Sequence, residues 1–189
     1  MRCVAPLSND PGLAAALDRI LDLAIDVTGA DFGNIQLVAE DGSLRIVAQR
    51  AFDPPFLEFF RVVKHDKSAC SAVLHRGRRV VVRDVRRSAH FIPSARRVMI
   101  EAGVLACQST PIFSPQRQVT GVLSTHFRVP HTCAPRELAL IDLLVGQAGL
   151  IIRGSEVQRQ RLEMARAFSE LREHFPRRTR IVSPRRAKQ

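Results

Sequence analysis

Residues 121–131 read G-V-L-S-T-H-F-R-V-P-H. The stretch opens as a buried strand, with Val122 and Leu123 beside a glycine. It then turns to Ser124, Thr125 and His126, which a dry core disfavours. Strand side chains alternate between faces, so Val122, Ser124 and His126 share one side and Leu123, Thr125 and Phe127 the other. Either the strand runs out to the surface, or its end lines a polar pocket.

The surrounding chain supplies the frame. Just upstream, V-L-A-C-Q-S-T-P-I-F (104–113) faces this strand across a turn S-P-Q-R-Q. Earlier, G-N-I-Q-L-V-A-E and S-L-R-I-V-A-Q-R are joined by Asp41-Gly42. Asp-Gly between alternating runs predicts a hairpin, because both turn residues tolerate positive φ. Between these pairs, the segment to about Gly77 is helical in character but broken by Asp53-Pro54-Pro55. A strand R-R-V-V-V-R-D follows, then an irregular arm with Pro93 and a short helix ending near Ala102-Gly103. Near the start, Leu13, Leu17, Ile20, Leu21, Ala24 and Ile25 recur at helical spacing. Asp10 can cap that helix, with Pro11 at its first position and Gly29 to stop it. A last helix starts at Pro135 and can run to Phe175. This order predicts an α+β domain with a central, mostly antiparallel sheet of five to six strands.

Composition narrows the function classes. The 189 residues, 46% apolar, fit one domain with an extension. The net charge of +11 rests on 26 arginines against 3 lysines. Six positive charges lie in the tail 176–189, which leaves +5 elsewhere. No aromatic residue interleaves with those arginines and no groove-reading motif precedes them, so nucleic-acid binding is not expected. The N-terminus shows no secretory signal. The apolar stretch Leu138 to Ile152 is interrupted by Asp142, Gly146 and Gln147, too polar and short for a membrane span. The expectation is a cytoplasmic protein whose four cysteines, Cys3, Cys70, Cys107 and Cys133, are free thiols.

Four motifs in this order resemble a GAF domain, the sensory module of bacterial sensor kinases and phytochrome-like proteins. They are G-N-I-Q-L-V-A-E-D-G-S-L-R-I-V-A, G-R-R-V-V-V-R-D, E-A-G-V-L-A-C-Q-S-T-P-I-F and G-V-L-S-T-H-F-R-V-P-H. The resemblance implies that the middle helices roof a small-ligand pocket on one sheet face. It also implies that the first and last helices cover the other face and build a dimer. Leu123 and Phe127 are then expected to meet the terminal helices, and Ser124 and His126 to face the pocket. In the phytochrome-like branch a histidine in a similar G-x-x-x-x-H context hydrogen-bonds the bilin, and Gly121 to His126 reproduces that context. Cys107 and Ser109 match small polar pocket positions on the preceding strand. His131, beyond the Pro130 turn, is expected to be exposed. With neither Trp nor Tyr in the chain, stacking falls to Phe32, Phe52, Phe56, Phe59, Phe60 or Phe91. The expected ligand-binding set is His126, Ser124, Ser109, Cys107, Cys70 and Phe91.

Three activities of the family can be weighed on the residues. Covalent bilin attachment asks for a Cys-His pair before Gly103-Val104, where the chain reads I-P-S-A-R-R-V-M-I-E-A. The thiol is missing there. Cyclic-nucleotide members resemble Asn-Lys, Phe and Asp-Glu after the fifth strand, whereas this interval reads R-V-P-H-T-C-A-P-R-E-L. Some members reduce free methionine sulfoxide with a cysteine pair. Cys70, in S-A-C-S-A, matches one of those cysteines, and Arg76, Arg78 and Arg79 lie near enough in sequence to lower its pKa. The second thiol, expected near Ser94 and Ala95, is absent.

His126, His131 and Cys133 are competent zinc ligands within eight residues, but no fourth ligand stands at a metal-site spacing and no metal is expected. Haem needs only one axial histidine, and nothing in the sequence favours it. The last helix carries a heptad seam. Leu143, Leu150, Val157, Met164 and Leu171 fill d, while Leu140, Phe168 and Phe175 fill half of the a positions, the others being Gln147, Gly154 and Arg161. Gly146, Gly149 and Gly154 weaken it. The expected organisation is an N-terminal segment 1–12, a sensory domain 13–152, a coiled-coil-like extension 153–175 and a disordered basic tail 176–189. No output domain is visible after Phe175, so the output lies in another chain or this one is a fragment. The expected function is a two-component-like sensory module that binds a small molecule and signals as a homodimer to a separate protein. A ligand-free dimerisation scaffold and a methionine sulfoxide reductase are the alternatives.

Overall fold

The computed structural model describes residues 10–63 and 68–174. The expectations for residues 1–9 and for the basic tail lie outside the described residues. Helix α1 (Pro11–Thr28) starts at Asp10, whose carboxylate accepts from the amides of Gly12 and Leu13, and stops at Gly29 in the left-handed region, φ 61°. Strands β1 (Phe32–Val38) and β2 (Leu44–Arg50) form the first hairpin. Its turn is one residue longer than Asp41-Gly42 implies. The Ala39 amide donates to the Ser43 carbonyl, and only Gly42, φ 76°, takes positive φ. Asp41 instead caps the turn by accepting from the Ser43 amide.

Helix α2 (Pro54–Phe59), the two-residue strand β3 (Val62–Val63) and helix α3 (Ala69–Arg76) make up the middle segment. The sequence reading missed β3, which is too short to show a period. Strand β4 (Val80–Val82), a 3₁₀ turn (Val85–Arg87) and helix α4 (Pro93–Glu101) follow. Strands β5 (Ala106–Phe113) and β6 (Val119–Phe127) precede the long helix α5 (Pro135–His174). The six strands lie in the order β3-β2-β1-β6-β5-β4, every neighbouring pair antiparallel.

The two sheet faces carry separate cores. Ile35, Leu37, Ile112 and Leu123 pack against Leu17 and Leu21 of α1 and against Ile141, Val145, Ala148 and Ile152 of α5. Phe32, Cys107 and Val122 point the other way, into Phe52, Phe56, Phe91 and Met99 under the middle helices. Each fully buried side chain of this size stabilises by roughly 1.5–3 kcal/mol. Gly149 is no weakness of α5. A Cβ there would collide with the Phe113 carbonyl oxygen, so the glycine lets the helix settle directly on β5.

The chain divides into two units at Glu156/Val157. The first holds the sheet and its covering helices; the described part of the second is the helical stretch to His174. Among the described residues one helix, over Pro135–Arg172, is long and apolar enough to cross a membrane, with a window of mean hydropathy 1.5. The apolar stretch is therefore longer than Leu138 to Ile152. In this domain Ile141, Val145, Ala148 and Ile152 of that helix form a core face against the sheet, and 28% of the window is buried.

Candidate functional site

The pocket grows out of strand register. Phe32 pairs with His126, Asn34 with Ser124, and Gln36 with Val122, while Cys107 pairs with His126 and Ser109 with Ser124. Directly opposed residues share a face. One side of the sheet therefore carries Asn34, Gln36, Ser124, Ser109, His126 and Cys107 together, all buried. The polar end of β6 therefore lies beneath the middle helices, not in solvent.

His126 is 3% exposed. Its ring meets Phe52 edge-on at 5.0 Å and Phe56 at 6.1 Å. Phe52 in turn stacks on Phe56 at 3.8 Å and on Phe32 at 5.2 Å. Burial among these rings pushes the imidazole pKa down to about 3, so the ring is neutral. Its Nδ1 has no hydrogen-bond partner among the described residues, and neither has Asn34 Oδ1 or Gln36 Oε1.

The cavity they face measures about 10 Å³. Of the six expected site residues, His126, Cys107, Cys70 and Phe91 line it. Ser124 and Ser109 lie beside it, their hydroxyls 2.7 Å apart, with Cys70 Sγ 3.5 Å from Ser124 Oγ. Phe56 and Phe60 also line the cavity, whereas Phe59 is 41% exposed and takes no part. Asn34, Gln36, Ser68, Ala69 and Met99 complete the wall and were missed from sequence. The alternation Asn34-Ile35-Gln36-Leu37 was the available signal, since polar alternates on a central strand have to face something.

The thiols are not activated. Burial raises the pKa of Cys70, and no arginine acts on it; Arg79 instead donates to Thr110 Oγ1 and pairs with Asp142. Burial likewise holds the Cys107 thiol well above its ordinary range. His126 does not converge with His131 and Cys133. His126 faces the roof, while His131 stacks on Phe127 at 3.8 Å, on the terminal-helix side. His131 is half-buried, not exposed.

A family model for the GAF domain matches residues 11–153. The chain belongs to the GAF domain family. The same fold recurs in solved structures. A domain of a two-component sensor histidine kinase protein from Sinorhizobium meliloti is 19% identical with a TM-score of 0.65, covering 84% of this chain and 99% of that one. The blue-light-absorbing GAF domain of PixJ from Thermosynechococcus elongatus is 13% identical with a TM-score of 0.64, covering 84% and 95%. A free methionine-R-sulfoxide reductase from Neisseria meningitidis, solved with its substrate, is 14% identical with a TM-score of 0.63, covering 79% and 83%. No curated protein matches the sequence. Sensor domains and reductases thus share this architecture, so the fold alone does not assign the function.

Proposed function

We propose that this GAF domain is a cytoplasmic sensory module that takes up a small neutral molecule beneath α2, α3 and α4. Occupancy is reported through the terminal helices of a homodimer to a separate output protein, in two-component-like signalling. The carrying observation is the trio of partnerless buried atoms, Asn34 Oδ1, Gln36 Oε1 and His126 Nδ1, on one cavity wall. An unpaired buried polar group costs about 1–3 kcal/mol, which a ligand with matching groups offsets. Among the described residues no Lys, Arg, Asp or Glu lines the cavity, which suits a ligand without formal charge. That argues against a cyclic nucleotide, whose phosphate needs a cation or a nest of amides. It joins the missing thiol before Gly103, which argues against covalent bilin, and the raised Cys70 pKa, which argues against thiol reductase chemistry.

The cavity accommodates roughly one water-sized group. A larger ligand has to lift the roof, so closed and occupied states differ, as a ligand-driven population shift requires. The same small volume favours a second reading, a permanently closed scaffold that only dimerises. Native mass spectrometry of gently purified protein, followed by thermal shifts with small neutral hydrogen-bonding molecules, separates the two. Because Trp and Tyr are absent, any strong near-ultraviolet absorbance of the pure protein reports a bound molecule. His126→Ala should weaken binding about tenfold while His131→Ala leaves it unchanged. A cavity that stays closed to the whole panel would decide for the scaffold.

The homodimer rests on exposed apolar side chains. In the first unit Leu143 and Leu150 of α5 are 71% and 63% exposed, and Leu23 of α1 is exposed. In the second, Met164, Phe168 and Leu171 are exposed on one helix. A second copy with the same stripe is the self-complementary cover. Met164→Glu with Phe168→Glu should lower the sedimenting mass and leave the domain's melting temperature intact. Equal mass for variant and parent would remove the coiled-coil interface.

A further inference from the structure

The loop between β6 and α5 brings together three side chains that the sensory reading does not use. One ligand atom each from His131, Cys133 and Glu137 lies within 4.8 Å of the others. Cys133 is 6% exposed, in a small apolar cluster with Ala30, Ala106 and Phe127. His131 is held by its ring stack on Phe127 and by its amide, which donates to the Arg83 carbonyl at 3.2 Å. Its Nε2 is buried and has no partner among the described residues. Glu137, on the first turn of α5, is oriented by the Ala134 amide, which donates to Oε2 at 2.8 Å. A carboxylate that accepts this bond keeps its other oxygen for a second contact.

We propose that His131, Cys133 and Glu137 form a zinc site that clips the end of β6 to the start of α5. An imidazole nitrogen, a thiolate sulfur and a carboxylate oxygen suit zinc, whereas magnesium and calcium take oxygen ligands. Three protein ligands leave the fourth tetrahedral position for water or a small exogenous donor. Ligand atoms around tetrahedral zinc sit about 3.4–3.8 Å apart, so the cluster tightens modestly on binding. Binding exchanges the Cys133 S–H bond for a sulfur–zinc bond and releases the proton to solvent; nothing is oxidised or reduced. Arg79 acts electrostatically on Cys133, and it is already engaged by Asp142, Thr110 and the Leu138 carbonyl, so a metal displaces none of its bonds.

Cobalt(II) titration of the reduced full chain tests the site, with zinc as competitor. The expected result is a thiolate-to-cobalt charge-transfer band saturating at about one ion per chain, bleached by zinc, with a raised melting temperature. His131→Gln, at a half-buried position, should weaken cobalt binding by on the order of 100-fold, and Cys133→Ala should remove the band. Cys70→Ser and Cys107→Ser should leave the band unchanged. Circular dichroism melts establish that each variant is folded, and His131→Gln keeps the test open if Cys133→Ala is not. The proposal fails if the folded parent gives no charge-transfer band, or if the band survives in folded Cys133→Ala or His131→Gln. Both results are independent of what the cavity on the other sheet face binds.

Discussion

As pH falls from about 6.5 to about 4.5, the domain should lose stability with a slope approaching 1.4 kcal/mol per pH unit. The cause is His126. Its pKa in the fold is pushed down to about 3 by burial, against the usual value of 6.5 when unfolded. The unfolded chain therefore binds a proton that the folded chain refuses. The stabilisation is complete above the unfolded pKa and is lost as pH drops toward the folded one. His90 adds a contribution of the same sign, from burial and then from Arg76. Asp10 and Asp84 are depressed carboxylates, so their losses begin lower, around and below 3.8. Urea unfolding followed by far-ultraviolet circular dichroism at several pH values measures the slope. His126→Gln, which cannot titrate, should flatten most of it; an undiminished slope in that variant would place the buried proton acceptor elsewhere.

Two glycines three residues apart on α5 should respond with opposite sign. Gly149→Val drives a side chain into the Phe113 carbonyl, and the helix backbone cannot retreat without opening the core around Ile112 and Ala148. A loss of about 3 kcal/mol is expected, at the upper end for overpacking. A Cβ at Gly146 would meet nothing within 4 Å, so Gly146→Ala should stabilise by about 1 kcal/mol through helix propensity alone. Thermal melts of the two variants give both signs in one experiment. Equal destabilisation would mean that α5 does not rest on β5 as described.

How far the sequence carried the fold depended on which interactions were local. Asp10, Pro11 and Gly29 announce α1 because capping is written within a few residues of the helix end. The face assignment of β6 was legible because alternation is a property of one strand. Asn34 and Gln36 were not read as pocket residues. The strand's alternation signals that they share a face, but what covers that face is a roof contributed by segments far along the chain. The length of the Asp41-Gly42 turn escaped for a related reason: hydrogen bonding between Ala39 and Ser43 selected a three-residue loop with a single left-handed glycine. His131 looked solvent-facing beyond Pro130, and its stack on Phe127 with its amide bond to the Arg83 carbonyl shows why it is not.

The central sheet has a mechanical consequence. Along β1, Asn34 and Gln36 point into one buried compartment, while Ile35 and Leu37 point into the other. On β6, Gly121 lies so close to β1 that a Cβ would sit 2.6 Å from the Gln36 carbonyl oxygen. The two strands form a diaphragm one residue thick, packed on both sides and clamped along its midline. Close-packed interiors have little compliance. A load on one surface of so stiff a diaphragm is passed on to the other, on which α1 and the first turns of α5 rest directly.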